Sequence, residues 1–183
     1  MRALKQVSDL PAGAPLLSDD LLEFHASRLV LLLSVCGKKG KIEGLTKLAK
    51  LDFFVRYPEF FDRASAYEQS QRRSITRSVE SSMLRFHYGP WDHRYYQILP
   101  YLEGCGLIIV RKKSAKTFEF ILTALGEDVA RQLSEAPTFS ELREQMSRVA
   151  EVFGSKKGTY LKELIYKLFD AEVAQKAFGE VIE

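Results

Sequence analysis

Apolar residues crowd the segment between positions 21 and 35, where Leu21, Leu22, Phe24, Leu29, Leu32, Leu33 and Val35 leave little room for a polar face. That pattern predicts a central helix buried on most sides, capped by Ser18 or Asp19 and ended by Gly37. A second helix is expected from Gly44 or Thr46, with Leu45, Leu48, Leu51, Phe54 and Val55 at spacings of three and four and Pro58 stopping it. Lys47 and Lys50 fall off its apolar stripe. Residues 63–80 are polar, serine-rich and weakly periodic, which reads as a long exposed connection, wholly irregular or helical in part.

Alternation returns in "VESSMLRFHY", a short strand before a turn at Gly89-Pro90. Asp92 then stands where a helix N-cap belongs, with Trp91 and Tyr96 placed to staple the first turn of a helix over 93–104. Ile98, Leu99 and Leu102 form its inner face, and Pro100 should bend it. Strand-forming runs at Leu107–Val110 and Thr117–Leu122, joined by a basic turn, predict a hairpin. Thr123 caps a further helix with Val129, Ala130 and Leu133 turned inward. Helix, helix, linker, strand, helix, hairpin, helix is the order of a winged helix-turn-helix, with 93–104 in the recognition position and the hairpin as wing. The fold class expected is therefore mainly α with a small β-hairpin, α+β.

Beyond Pro137 the pattern changes. Phe139, Leu142, Met146, Val149 and Phe153 make a narrow seam of the kind used in helix pairing. After "GSKKG", Leu161, Leu164, Ile165, Leu168 and Phe169 lie along one face of one long or two short helices. Three parts follow: an N-terminal arm at 1–17, a winged-helix domain at 18–136 and a C-terminal helical extension at 137–183. The seam must be covered by the following helix or by a partner protein.

A length of 183 residues suits one compact domain with such an extension. The run "LVLLLSV" is too short to span a bilayer and no secretory signal precedes it, so a cytoplasmic protein is expected. Two cysteines, Cys36 and Cys105, without a ligand ladder indicate neither a disulfide framework nor a zinc site, and both read as buried. The formal net charge of +3 makes the placement of charge more informative than its total.

The stretch 86–108 gathers His87, Trp91, Asp92, His93 and Cys105, which raises the question of catalysis. No GxSxG, HExxH or paired acidic motif accompanies these residues, so hydrogen-bonding and capping roles are expected. His25, alone on an apolar helix, reads as structural. "CGKKGK" and "GSKKG" lack the spacing of a phosphate-binding loop. Neither a catalytic residue, a metal nor a cofactor is expected. Basic clusters carry more information: Lys38, Lys39, Lys41, Lys47 and Lys50 surround the second helix, Arg72, Arg73 and Arg77 dot the linker, and Arg111, Lys112, Lys113 and Lys116 load the wing. Lys47, Lys50, Arg94, Arg111, Lys112, Lys113 and Lys116 are the candidate DNA contacts. Only Arg94 and Gln97 could read base edges, so contacts to the phosphate backbone are expected. Phe139, Leu142, Met146, Val149 and Phe153 are the candidate partner contacts.

The wording of "GLTKLAKLDFFVRYPEFF" and "MLRFHYGPWDHRYYQILPYLEGCGLI", followed by the wing and "LTALGEDVARQL", resembles the small middle component of ABC-type three-component antiphage systems, the group that includes Lamassu. The resemblance covers residues 20 to 135. It implies an adaptor without activity of its own, accompanying a large SMC-like ATPase and an effector subunit, often a nuclease. The alternative is a winged-helix transcriptional regulator in which the tail dimerises and the helix near Arg94 enters the major groove. An enzyme is the third reading.

Overall fold

The computed structural model describes residues 21–69, 84–86, 89–115 and 117–169. Ser18, Asp19, Arg72, Arg73, Arg77, His87 and Lys116 lie outside the described residues, as do the expected arm and the last residues of the tail. Helix α1 spans Leu22–Cys36 and is followed by strand β1, Lys41–Glu43. Helix α2 (Leu45–Arg56) and helix α3 (Pro58–Gln69) lead to strands β2 (Leu84–Phe86) and β3 (Gly89–Trp91). Helix α4 (Tyr95–Gly104), strands β4 (Ile108–Ser114) and β5 (Thr117–Leu122) and helix α5 (Ala124–Glu135) complete the expected order. A 3₁₀ turn at Pro137–Phe139 introduces helices α6 (Ser140–Phe153) and α7 (Gly158–Phe169).

The chain is mainly helical with a small antiparallel sheet, α+β as the sequence pattern implied. Strand order β1-β5-β4, with α1 before β1 and α2 and α4 between β1 and the hairpin, is winged helix-turn-helix topology. The third strand went unforeseen, because "KIE" is too short to show alternation. It pairs antiparallel with β5 in the register Lys41↔Ile121, Ile42↔Phe120 and Glu43↔Glu119. Gly126 lets the start of α5 close on the wing, since a Cβ there would stand 2.0 Å from the Leu107 carbonyl oxygen. Thr123 caps α5 as expected, its hydroxyl accepting from the Gly126 amide at 3.0 Å.

Three expectations need correction. Pro58 does end α2, but it also opens α3, because the first helical position needs no amide donor. Residues 58–69 are therefore helical, and the aromatic side of α3 is buried through Phe60 and Phe61. Gly89 and Pro90 belong to β3, paired with Phe86 and Arg85, and are not the turn. A two-stranded ribbon tolerates proline because each strand is an edge.

The largest correction concerns the seam. Met146, Val149 and Phe153 are fully buried in one core with Leu29–Leu33 of α1 and Leu48, Leu51 and Phe54 of α2. The Phe153 ring stacks on Phe54 at 4.6 Å and meets Phe61 edge-on at 5.8 Å. Phe139 stacks on Phe24, and Leu142 packs against the same core half-buried. Helix α7 buries Leu161, Leu164, Ile165 and Phe169 there as well. Gly158 lets α7 approach α2, where a Cβ would lie 2.9 Å from the Lys47 amide nitrogen. Phe139, Leu142, Met146, Val149 and Phe153 thus complete the core and present no free seam to a partner. The core runs without a break across the expected boundary at 136/137.

Candidate functional site

The segment 91–95 feeds a buried cluster of charges beneath the start of α4. Asp92, from the turn, accepts the Arg94 backbone amide at 2.9 Å and the Arg94 guanidinium at 3.0 Å. Its second oxygen takes Arg56 Nη1 at 2.8 Å. From α2, Asp52 receives Arg28 Nε at 2.9 Å and the Tyr95 hydroxyl at 2.6 Å. His25 closes the arrangement, with Arg28 Nη1 2.7 Å from Nδ1 and Arg94 Nη1 2.5 Å from Nε2. A neutral imidazole has one lone-pair nitrogen, so its tautomer decides which guanidinium it accepts from.

Burial sets the electrostatics. His25, Arg28, Asp52, Arg56 and Tyr95 are all nearly or wholly removed from solvent. Burial alone would raise the Asp92 carboxyl, but hydrogen bonds from Arg94 and the charge of Arg56 prevail and bring it down to about 2. Burial, reinforced by the Asp52 charge, holds the Tyr95 hydroxyl well above its ordinary value. Both carboxylates are occupied by guanidinium or hydroxyl donors and tie α1, α2 and α4 together. This is the chemistry of a joint.

Asp92 is thus more than a cap. The residue before α4 is Arg94, with no side-chain cap of its own, and Asp92 serves one amide of the turn while acting chiefly as an ion-pair hub. The expected staple is present, with the Trp91 and Tyr96 rings 6.0 Å apart, although Tyr96 remains largely exposed.

The candidate DNA contacts divide. Lys50 is fully buried, and burial with the nearby Lys162 charge pulls its ammonium down to about 7, so it cannot reach a phosphate. Lys47 is half-buried and donates to the Gly154 carbonyl at 2.7 Å, where it fastens α2 to the end of α6. Arg94 is committed to Asp92 and His25 and is not free to read a base. The expectation for Lys50 is overturned, and Lys47 and Arg94 are each engaged within the chain. Arg111, Lys112 and Lys113 are exposed on β4. Cys36 is buried as expected, its thiol pushed up to about 12 by burial and then by Asp52, whereas Cys105 is exposed.

A second cluster went unnoticed in the sequence. Register places Glu43, Glu119 and Arg111 in one row across β1, β5 and β4 on the outward face, opposite the core-facing row of Ile42, Phe120 and Val110. Glu119 Oε1 accepts from Lys41 at 3.3 Å, Glu119 Oε2 pairs with Arg111 at 3.1 Å, and Lys113 stands 2.6 Å from Glu43 and 3.8 Å from Glu119. Basic residues near two strands signalled it, but assembling the cluster required the β1–β5 pairing.

Among the described residues, no group of three or more His, Cys, Asp or Glu is placed to hold a metal ion, and no helix is long and apolar enough to cross a membrane. No protein-family model, no curated protein and no solved structure matches the chain.

Proposed function

We propose that the chain is a non-catalytic adaptor subunit of a Lamassu-like antiphage defence complex, in the cytoplasm, standing between an SMC-like ABC ATPase and an effector, with its wing against the DNA backbone. The observation that carries this reading is the inward commitment of the first residues of α4. Asp92, Arg94 and Tyr95 are spent on the buried joint, leaving His93, Tyr96, Gln97, Pro100, Tyr101 and Glu103 outward. Base readout in the major groove relies mostly on Arg, Lys, Asn or Gln pairing with base edges, and among these outward residues only Gln97 is of that kind. The cations instead sit on the sheet, where they can meet phosphates without reading sequence. Saturated, buried carboxylates likewise support a role without catalysis or cofactor. Because the seam is closed, a protein partner must use another surface.

The test is to look for a long coiled-coil ATPase and an effector encoded beside the chain and to express them with the full tagged chain. The adaptor reading expects both to co-purify with the chain. A stable homodimer that binds one DNA sequence tightly and leaves the ATPase behind would instead establish a transcriptional regulator.

A further inference from the structure

The outward cluster on the sheet differs from an ordinary row of surface ion pairs in how its members are exposed. The side chains of Lys41, Arg111 and Lys113 are 40%, 61% and 49% exposed, whereas the Glu119 carboxylate they converge on is 7% exposed. Three part-exposed cations therefore surround one buried anion. With Glu43 at the rim, three positive and two negative charges leave the group at +1. Lys38 and Lys39, exposed in the turn before β1, and Lys112 on β4 extend the positive rim. Each cation is solvated on its own but Glu119 is not, so drawing them to another oxyanion leaves a buried carboxylate short of partners and Glu119 opposes the transfer. Glu119 is lowered in pKa against the opposing effect of burial, by Lys41 and then Arg111, and stays ionised at neutral pH.

We infer that this outward face contacts the phosphate backbone of duplex DNA through Lys41, Arg111 and Lys113, and that Glu119 is a built-in competitor that keeps the affinity of the lone chain low. The inference rests on the backbone-contact part of the reading above and names its residues. Strands in a sheet lie about 4.8 Å apart, so Lys41 on β1 and Arg111 on β4 start roughly 10 Å apart at the backbone. One small anion can satisfy one or two such side chains. A duplex, with a charge every ~3.4 Å of axis on each strand, offers phosphates to all three. Low intrinsic affinity fits a subunit that meets DNA only when an ATPase holds the two together, because tethering raises the effective concentration of a weak contact.

The experiment titrates a short random-sequence duplex with the full chain at several salt concentrations, following anisotropy. Glu119→Gln should tighten binding severalfold and steepen the logarithmic salt slope by about 0.9 for each cation released. Asp128→Asn makes the same change in net charge on α5, beside Arg131, and should tighten binding less. Lys41→Gln, Arg111→Gln and Lys113→Gln together should weaken binding and flatten the slope, while Ile109→Ser, on the same face, should change neither. Equal effects of Glu119→Gln and Asp128→Asn, or no binding by wild type and Glu119→Gln even at low salt, would overturn the proposal. Loss of binding with a folded Ile109→Ser would overturn it too, because an uncharged residue would then govern an interaction ascribed to the cations. Thermal melts identify any variant that fails to fold, and Glu119→Gln, which keeps the side-chain shape, then decides. Co-purification of the ATPase is a separate readout, so failure here leaves the adaptor reading to its own test.

Discussion

Two clusters in this chain are built from the same parts, arginine or lysine converging on a carboxylate, and they differ in one variable. Beneath α4, Asp52 and Asp92 hold Arg28 and Arg56 almost entirely out of water, with Arg94 half-buried at the edge. On the outward sheet face, Glu119 holds Lys41 and Arg111 with the cations largely in water. Removing one partner in the first case strands a desolvated charge that nothing solvates. In the second, each cation keeps its water when the carboxylate is removed, whereas the buried Glu119 carboxylate depends on its cations. The difference teaches that an ion pair is a structural device where both members are buried and a loosely held contact where the cation is exposed.

The sharpest way to break the comparison is to open the buried side. Deleting residues 137–183 removes Met146, Val149 and Phe153 from the core over α1 and α2 and should abolish cooperative unfolding, read by circular dichroism. Phe153→Ala alone should cost about 3–5 kcal/mol in urea unfolding, through lost burial and the cavity left behind. Asp52→Ala should cost about 3–5 kcal/mol as well, because Arg28 keeps its charge and loses its carboxylate.

Acid tests the same contrast more gently. The Asp92 carboxyl is lowered in the folded chain from an ordinary 3.8 to about 2. A lowered carboxyl contributes stability that is fully present above its unfolded value and is lost as pH falls through the folded one. At 1.36 kcal/mol per unit, about 2 kcal/mol should disappear between roughly pH 5 and pH 1, and Asp92→Asn should remove that part of the pH dependence. The smallest effect belongs to the exposed side: Arg111→Gln should leave the urea midpoint within experimental error while reducing duplex affinity.

These outcomes bear on what could be read from the sequence. The apolar crowding of α1, the helical periodicity of α2, the inward residues of α5 and the strand-forming runs of the hairpin were legible because each element carries its own local pattern. Thr123 and Gly37 marked ends for the same local reason. The seam at 139–153 was legible as apolar but its occupant was not, since a seam looks alike whether a partner or its own domain fills it. Lys50 shows the limit most plainly: a lysine off the apolar stripe looks exposed until another helix closes over it, and α7 arrives from more than a hundred residues away. Glu119 is the converse case. Its meaning depends on the β1–β5 register, and three residues of β1 are too few to announce a strand.

Hydrogen–deuterium exchange on the full chain, with and without a short duplex at low salt, tests the central claim most directly, because the two clusters lie under different elements. The account predicts slower exchange in β1, β4 and β5 and no change in α4 or in the buried joint beneath it. Protection concentrated at the start of α4, as a helix entering the major groove would give, would contradict it.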